Sequence, residues 1–342
     1  MTGACLARAG LNRKTALATA TVTLAAEAPD IDVLGRIKGP VFGFAHHRGF
    51  THSFLGLVLV SAAVVALMYL VWRVRGRKTD HPHGPPRWGL LFLFAYGAGL
   101  THILLDFTNN YGVRPFWPFS GKWYSWDIVF IVEPLMLVLL VAGLTLPALF
   151  ASSRKNSKEI SSALQGGPPG RLAATLALAG VVALWGVRDF EHRRAVYFVR
   201  SRSYEGAAPI RASAYPYWLN PFRWYSVAET QNFYATMGVG SSGEISQVRI
   251  YPKTQECPVV LAARKSYLGR VYLDWAKYPV VKVYRLKDGG GIAYRMEFAD
   301  LRYAYPETTG RAPLSANEEL NSNLEVVEEG FGSHDEQSPP SR

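Results

Sequence analysis

Residues 46–72 read HHRGFTHSFLGLVLVSAAVVALMYLVW, and the two parts of this stretch have opposite chemistry. The second part, residues 54–72, carries no charged side chain and approaches the length of about 20 apolar residues that a membrane-spanning helix needs. The first part brings three histidines, an arginine and a glycine to the entrance of that helix, where polar side chains are costly unless they serve a function. We therefore interpret residues 46–53 as one half of a metal site at a membrane surface.

The other half is predicted in the sequence THILLD at 101–106, near the end of the next apolar run, residues 88–107. A helix brings residues four positions apart to one face, so His102 and Asp106 can face the same ion. Imidazole and carboxylate groups are ordinary ligands of zinc and of neighbouring metals such as manganese. The predicted cofactor is a divalent cation, zinc before manganese. Its predicted ligands in these two stretches are His47, His52, His102 and Asp106.

Further apolar runs predict a polytopic membrane domain over residues 1–188, with four or five hydrophobic helices. Residues 128–150 and 172–187 are the additional spans, whereas the short run 15–28 leaves open whether it crosses, enters or only packs inside the domain. From about residue 190 the pattern changes to aromatic and β-branched alternation, which predicts a β-rich (α+β) domain over 189–311. Residues 312–342 are acidic and are predicted to be a disordered tail.

Within the β-rich domain, alternating apolar residues between turn signals predict five strands and one helix. The strands are predicted at 224–229, 233–239, 247–251, 280–286 and 292–298, and the helix at 266–277. The sequence Asp288-Gly289-Gly290 is typical of a hairpin turn, and it separates the last two predicted strands.

The composition favours membrane lipids as partners over nucleic acid. The net charge is +11, from 37 Lys and Arg against 26 Asp and Glu. Most of this positive charge lies in loops beside apolar segments, where lipid headgroups and membrane topology account for it. The two cysteines, Cys5 and Cys257, provide neither a disulfide framework nor a Cys-based metal motif. No glycine motif indicates a nucleotide or organic cofactor.

The distribution of basic residues predicts the orientation in the membrane. Lys and Arg number five in residues 73–87 and four in 154–171, against two in 109–127. The positive-inside rule therefore makes the first two segments cytoplasmic, and the β-rich domain extracytoplasmic. His81 and His83, in the first segment, are predicted to be solvated. Seven candidate ligands are then predicted at the outer face: Asp30, Asp32, His47, His52, His102, Asp106 and Asp127.

Three aspartates in this set have roles that the sequence does not divide. Asp30, Asp32 or Asp127 is predicted to be a ligand of a second metal ion or the general base, and a simple polar turn is the alternative for PDID at 29–32. We group Asp32 with the metal ligands, and Asp30 and Asp127 with the catalytic residues.

Four other polar residues near the apolar runs call for an interpretation. Arg48 carries a planar guanidinium that suits a phosphate or carboxylate, so we group it with the catalytic residues; a lipid headgroup is its alternative partner. Ser53 or Thr51 is expected to cap the first span rather than to act chemically. Glu133, within a predicted span, is a functional candidate or a residue that reaches the interface.

Several segments together resemble a known family. They are AGLNRKTA at 9–16, PDID at 29–32, HRGFTHS at 47–53, THILLD at 101–106 and YGVRPFWPF at 111–119. They are similar to the bacterial membrane-bound, metal-dependent hydrolases of YdjM type, for which HRGxTHS followed by HxxxD is fairly specific. The polar half, through NPFRW at 220–224, resembles an extension carried by some members.

The resemblance implies a metal-dependent hydrolase, and a distant likeness to zinc phospholipase C and P1-type nucleases suggests phosphoester substrates. Members usually begin with a few more residues ending in Thr-His, so a truncated start or a missing ligand is expected here.

Three classes of function fit these observations. The first is an inner-membrane hydrolase that uses a metal-activated water on a small or lipid-like ester, amide or phosphoester. The second is a metal-binding or transport protein, which favours charged residues deep in several spans; only Glu133 offers one. The third is a non-catalytic membrane anchor for the β-rich domain, in which the histidines and aspartates contribute only to stability.

Overall fold

A computed structural model describes residues 1–75, 84–153, 167–246, 248–289, 291–306 and 314–332 of the chain. The loop with His81 and His83, most of the basic linker after residue 153 and Gly290 of the predicted hairpin turn lie outside the described residues.

The chain divides into two compact units. The first comprises Met1–Asp32, Arg48–Phe190 and Trp218–Pro221, and the second comprises Val33–His47, Glu191–Tyr217 and Phe222–Arg342.

Helices make up most of the first unit. In chain order they are α1 (Thr2–Ala9), α2 (Ala18–Ala25), α4 (Phe54–Val74), α5 (Trp88–Thr108), α6 (Pro134–Ser153) and α7 (Pro168–Arg200). The intervening α3 (Pro40–His46) belongs to the second unit. Helices α4 to α7 are long and apolar enough to cross a membrane, so the prediction of a helical membrane region is confirmed.

The short run at 15–28, whose depth the sequence left open, forms the eight-residue helix α2 inside the first unit. Its side chains Val22 and Ala25 are buried against Ala95 and Ala98 of α5. Helix α1 packs closely on α2, since a Cβ at Gly3 would lie 2.6 Å from the carbonyl oxygen of Val22. The α2 helix is therefore a packed element that supports α5, and it is too short to span a membrane.

Two predicted helix ends differ from the structure. Helix α6 begins at Pro134 rather than at residue 128, because the fixed φ of proline and its missing N–H suit the first position of a helix. Helix α7 continues through the predicted domain boundary at 188 to Arg200. Its last turns, from Glu191 onward, belong to the second unit, where Ala195 and Val199 are buried against Trp224 of the same unit, and that burial favours the continuation of the helix.

The second unit contains two antiparallel sheets of four strands, in the orders β1-β2-β3-β4 and β5-β6-β7-β8. The strands are β1 (Arg211–Pro216), β2 (Arg223–Glu229), β3 (Phe233–Gly240), β4 (Arg249–Pro252), β5 (Pro279–Gly289), β6 (Ile292–Asp300), β7 (Ala316–Asn321) and β8 (Val326–Phe331). Between the sheets in sequence lie helices α8 (Pro258–Lys265) and α9 (Tyr267–Trp275). The predicted α+β class is confirmed, and β1, α8, β7 and β8 are elements that the sequence patterns did not predict.

The prediction of a disordered tail is wrong for residues 316–331, which form β7 and β8. Acidic composition suggested disorder, but the acidic residues of β7 have specific partners. Glu319 lies opposite Arg295 of β6 and forms an ion pair with it at 2.9 Å. Leu320 is fully buried. Pairing with β6 thus neutralises part of the charge and buries the apolar residue of the strand.

Glu318 makes the stability of the second unit dependent on pH. It is fully buried and lies directly opposite Glu329 in the β7–β8 pair, while the Ser266 hydroxyl donates to its Oε2 at 3.0 Å. Burial raises the pKa of the Glu318 carboxyl to about 7; the hydrogen bond from Ser266 acts in the opposite direction, and the charge of Glu329 adds to the rise. An unfolded glutamate has a pKa of about 4.3, so the folded protein binds more protons between these values and loses stability as the pH rises through 7.

We expect Glu318→Gln to be more stable than the wild type at pH 8 by about 1–3 kcal/mol, because it removes a buried carboxylate that faces a second one. The difference should shrink toward pH 5, where the wild-type carboxyl is protonated. Unfolding of the detergent-purified full chain across this range measures the effect. The matched control Glu328→Gln changes an exposed glutamate of β8 and should show no such trend. Equal stability of the Glu318 variant and the wild type at pH 8 would contradict the assignment.

Candidate metal centre

The backbone around His52 is fixed by the start of α4. A 3₁₀ turn, Phe50–His52, leads into the helix, and Ser53 caps it by accepting a hydrogen bond from the Gly56 N–H at 2.9 Å. This confirms the predicted cap. A Cβ at Gly56 would lie 1.8 Å from the carbonyl oxygen of Phe50, so only glycine allows the turn to fold back on the helix. His52 is consequently held rigidly at the helix entrance and is fully buried.

Helices α4 and α5 bring His52 next to the end of α5. Leu57, in the first turn of α4, packs against Ile103 and meets Gly99, where a Cβ would lie 2.3 Å from the Leu57 side chain. The start of α4 therefore lies beside the last turns of α5, which carry His102 and Asp106. Because these two residues are four positions apart, both side chains lie on the same face of α5.

Four side chains meet at this point: Asp30, His52, His102 and Asp106. The Nε2 atoms of His52 and His102 are 3.2 Å apart. Asp30 Oδ1 lies 3.3 Å from the first and 3.4 Å from the second, and Asp106 Oδ2 lies 3.3 Å and 3.5 Å from them. Tetrahedral zinc with bonds of roughly 2.0–2.1 Å holds its ligand atoms about 3.3 Å from one another. These five distances therefore have the length that a single small cation requires, and all four donor atoms lie within 4.8 Å of one another.

The hydrogen bonds on the far side of each imidazole determine which nitrogen faces the group. His102 Nδ1 lies 2.7 Å from the carbonyl oxygen of Ala26, which can only accept, so this nitrogen carries the proton. His52 Nδ1 lies 3.2 Å from Asp32 Oδ2 and 3.2 Å from the Thr51 hydroxyl. A carboxylate or carbonyl behind each ring favours the proton on Nδ1, so that Nε2 of the neutral ring can donate its lone pair to a metal, as in the outer shells of histidine metal sites.

The charge balance of the group also favours a cation. Burial lowers the pKa of the His52 imidazole, but the neighbouring carboxylates of Asp106, Asp30 and Asp32 outweigh burial and raise it to about 10. Burial raises the pKa of the Asp30 carboxyl, while the two histidines hold it below its usual range. Asp106 Oδ2 is buried and makes no hydrogen bond within the described part of the chain. The group therefore attracts positive charge, which a proton or a metal ion supplies.

Arg48 and Asn109 hold Asp106 from behind. The Arg48 guanidinium contacts Asp106 Oδ1 at 2.7 Å and donates to Asn109 Oδ1 at 3.1 Å and to the Gly112 carbonyl at 3.0 Å. The backbone N–H of Arg48 donates to Asp32 at 2.7 Å. These contacts make Arg48 a positioning residue for two aspartates of the site, and they differ from the substrate contact that the sequence suggested.

The structure places the remaining predicted site residues at different positions relative to the group of four. Asp30 is in the group, while Asp32 lies behind His52, so the two aspartates exchange the positions inferred from the sequence. His47 is not in the group; it follows α3 in the second unit, where its backbone turns to an extended conformation. Asp127 is buried and accepts a hydrogen bond from the Ser125 hydroxyl at 2.7 Å. Glu133 precedes α6 and forms a buried ion pair with Arg188 at 2.8 Å.

Asn109 is a residue of the centre that the sequence patterns missed. Its Oδ1 accepts from the N–H groups of Tyr111 and Gly112, at 2.9 and 3.3 Å, as well as from Arg48. Its Nδ2 lies 3.5 Å from Asp106 Oδ1. The signal in the sequence is its position three residues after Asp106, one helical turn further on, directly where α5 ends.

Four membrane-length helices, and a His/Asp group that is buried except at Asp30, define a polytopic membrane protein with a candidate metal centre. Residues 1–195, more than half of the chain, match the family described as YdjM inner membrane protein, and the chain belongs to this family. A stretch of 120 residues, 35% of this chain, is 29% identical to the uncharacterized protein YfhP of Bacillus subtilis (strain 168). That stretch spans only 33% of YfhP. No solved structure matches the chain.

Asn109→Ala is expected to lower the free energy of unfolding by about 1–3 kcal/mol, because it leaves buried N–H donors of Arg48, Tyr111 and Gly112 without their acceptor. Unfolding of the detergent-purified protein measures this loss. Asn109→Asp keeps an acceptor oxygen but places a second carboxylate beside Asp106 Oδ1, so it should recover only part of the stability. If the alanine variant unfolds like the wild type, Asn109 does not hold the centre.

Proposed function

We propose that this membrane protein is a metal-dependent hydrolase whose cation is bound by Asp30, His52, His102 and Asp106. One observation carries the proposal: the spacing of 3.2–3.5 Å between the imidazole nitrogens and their neighbouring donor atoms, with an acceptor already behind each imidazole. Two imidazoles and two carboxylates suit zinc first, and manganese as the alternative. A divalent ion bound there supplies a Lewis acid and a water of lowered pKa.

Other residues of the chain orient the proposed metal ligands. Asp32 and the Ala26 carbonyl orient the two imidazoles, and Arg48 with Asn109 orients Asp106. The Asp30 side chain is 54% exposed, so water and substrate reach the centre from its side. Hydrolysis of an ester there joins the water oxygen to the acyl carbon or phosphorus and breaks the bond to the alkoxy oxygen. One water proton ends on the leaving alcohol and the other on the acid product.

We also propose that the centre faces the outer side of the membrane and acts on amphiphilic esters or phosphoesters. The excess of Lys and Arg in 73–87 and 154–171 over 109–127 supports this orientation, which leaves the β-rich domain extracytoplasmic. The centre adjoins the ends of two membrane-length helices, and lipid headgroups lie at that depth. Transport through the same ligands is less favoured, because Glu133, the carboxylate that suggested it, is paired with Arg188.

Metal content tests the proposal directly. The detergent-purified wild type is expected to retain about one zinc or manganese ion per chain. His52→Ala, His102→Ala and Asp106→Ala should lose it, and with it the hydrolysis of a soluble chromogenic phosphodiester or carboxylic ester. The matched control His46→Ala removes an exposed imidazole whose Nδ1 bonds to the carbonyl oxygen of Phe42 in its own helix, and it should retain the ion. If the correctly folded wild type takes up neither metal at saturation, the hydrolase proposal is wrong and the membrane-anchor hypothesis replaces it.

Asp32→Asn is expected to weaken metal binding by about 10- to 100-fold while the stoichiometry at saturation stays unchanged, because Asp32 orients and polarises His52 without joining the group of four. Competition with a chromophoric chelator measures the affinity. Asp127→Asn is the control: it changes a buried aspartate that accepts a hydrogen bond from Ser125 and is not in the group of four, and it should leave the affinity unaltered. Loss of stoichiometric binding in Asp32→Asn would instead make Asp32 a direct ligand.

A further inference from the structure

A cavity of about 350 Å³ adjoins the candidate metal centre in the first unit. One wall is formed by His102 and Asp106, which belong to the group of four, and by Asn109. Its volume lies at the lower end of the roughly 300–1,000 Å³ that small-molecule sites occupy in proteins. A ligand in this cavity therefore has part of its surface directly beside the proposed cation.

Another part of the cavity lining is mainly apolar. It is lined by residues of the segment before α6 and by Met136, Leu137 and Leu140 of α6 itself. The Glu133 carboxylate at this wall is held by Arg188 at 2.8 and 2.9 Å, so its charge is compensated. The cavity thus combines a polar end at the metal centre with an apolar wall on a membrane-length helix.

The apolar wall continues onto the outer surface of the first unit. Ile131, Val132 and Leu137 line the cavity and are at the same time 39%, 59% and 41% exposed. Leu137 lies in the first turns of α6, whose length and composition suit a lipid environment. A soluble ligand gains nothing from such an opening, whereas an apolar chain can pass through it from the bilayer without entering water.

We propose that this cavity binds a single apolar chain of an amphiphilic ester and that the substrate enters it laterally from the membrane. The inference deepens the proposed function and rests on it for the reaction at the polar end. The volume accommodates one chain rather than a lipid with two chains and a large headgroup. The substrate class is therefore a single-chain amphiphile whose ester or phosphoester bond lies beside His102 and Asp106.

Photolabelling of the metal-free protein separates chain binding from catalysis. The full chain in phosphatidylcholine nanodiscs, stripped with EDTA, is illuminated with monolaurin that carries a diazirine at the end of its chain. This single-chain ester is uncharged, so the carboxylates of the metal-free centre do not repel it. Peptide mass spectrometry is expected to find the label concentrated between residues 129 and 140. Leu137→Trp fills the mouth of the cavity and should lower labelling by about tenfold, the effect of losing the burial of roughly two methylene groups.

Val138→Trp is the matched control, because Val138 is the next residue of α6, is 63% exposed and does not line the cavity. It should label like the wild type. Ile131→Trp tests the same mouth if the Leu137 variant fails to fold. Label spread evenly over the exposed faces of α4, α6 and α7, or equal labelling in the Leu137 and Val138 variants, would overturn the proposal, because the probe then samples only the bilayer.

The experiments can contradict the chain-binding proposal and the hydrolase proposal independently of each other. The expected labelling in a protein that never binds metal supports the chain-binding cavity and overturns the proposed hydrolase. Metal-dependent hydrolysis of a soluble ester without the expected labelling overturns the cavity and leaves the hydrolase intact.

Discussion

The centre depends on one constraint: two imidazole nitrogens face each other at 3.2 Å between two carboxylates. Because the other nitrogen of each ring has an acceptor as its partner, both Nε2 atoms turn a lone pair toward the same point. Lone pairs and carboxylates at this distance repel one another unless positive charge lies among them. A proton satisfies that requirement in part, and a divalent ion in the proposed centre satisfies it for all four groups.

The surrounding fold can be understood as the support that keeps these groups together. Gly56 and Gly99 let the 3₁₀ turn, α4 and α5 approach more closely than any side chain would permit. Arg48 then links the segments, because its backbone binds Asp32 while its side chain binds Asp106 and Asn109. Leaving one partner of such a buried network unpaired lowers the free energy of unfolding, so replacing any one of these residues is expected to disturb the others.

Apolar runs and helical spacing in the sequence predicted the membrane helices and one face of the centre. The positions of the remaining side chains depend on local contacts that these patterns do not encode. Uninterrupted apolar runs gave four membrane-length helices, and the spacing of His102 and Asp106 brought both to one face of α5. The position of Asp30 among the four and of Asp32 behind His52 depends on the path of the 3₁₀ segment Ala28–Lys38, which no periodicity encodes. The residues of β7 were predicted to be disordered because their acidic composition was considered alone. The residue that compensates the charge of Glu319 is Arg295, on another strand.

The exposed side of Asp30 has a consequence for the choice of metal. Three of the four groups are buried, but this carboxylate is 54% exposed, so an ion in the proposed centre exchanges with the solution without local unfolding. Mixed nitrogen and oxygen ligands bind several divalent metals in the general order of their intrinsic affinities, and an accessible site cannot impose a different order by trapping the first ion that arrives. For the proposed centre we therefore expect the identity of the ion to follow the metals that the compartment supplies, so that cells with different metal pools load the same polypeptide differently.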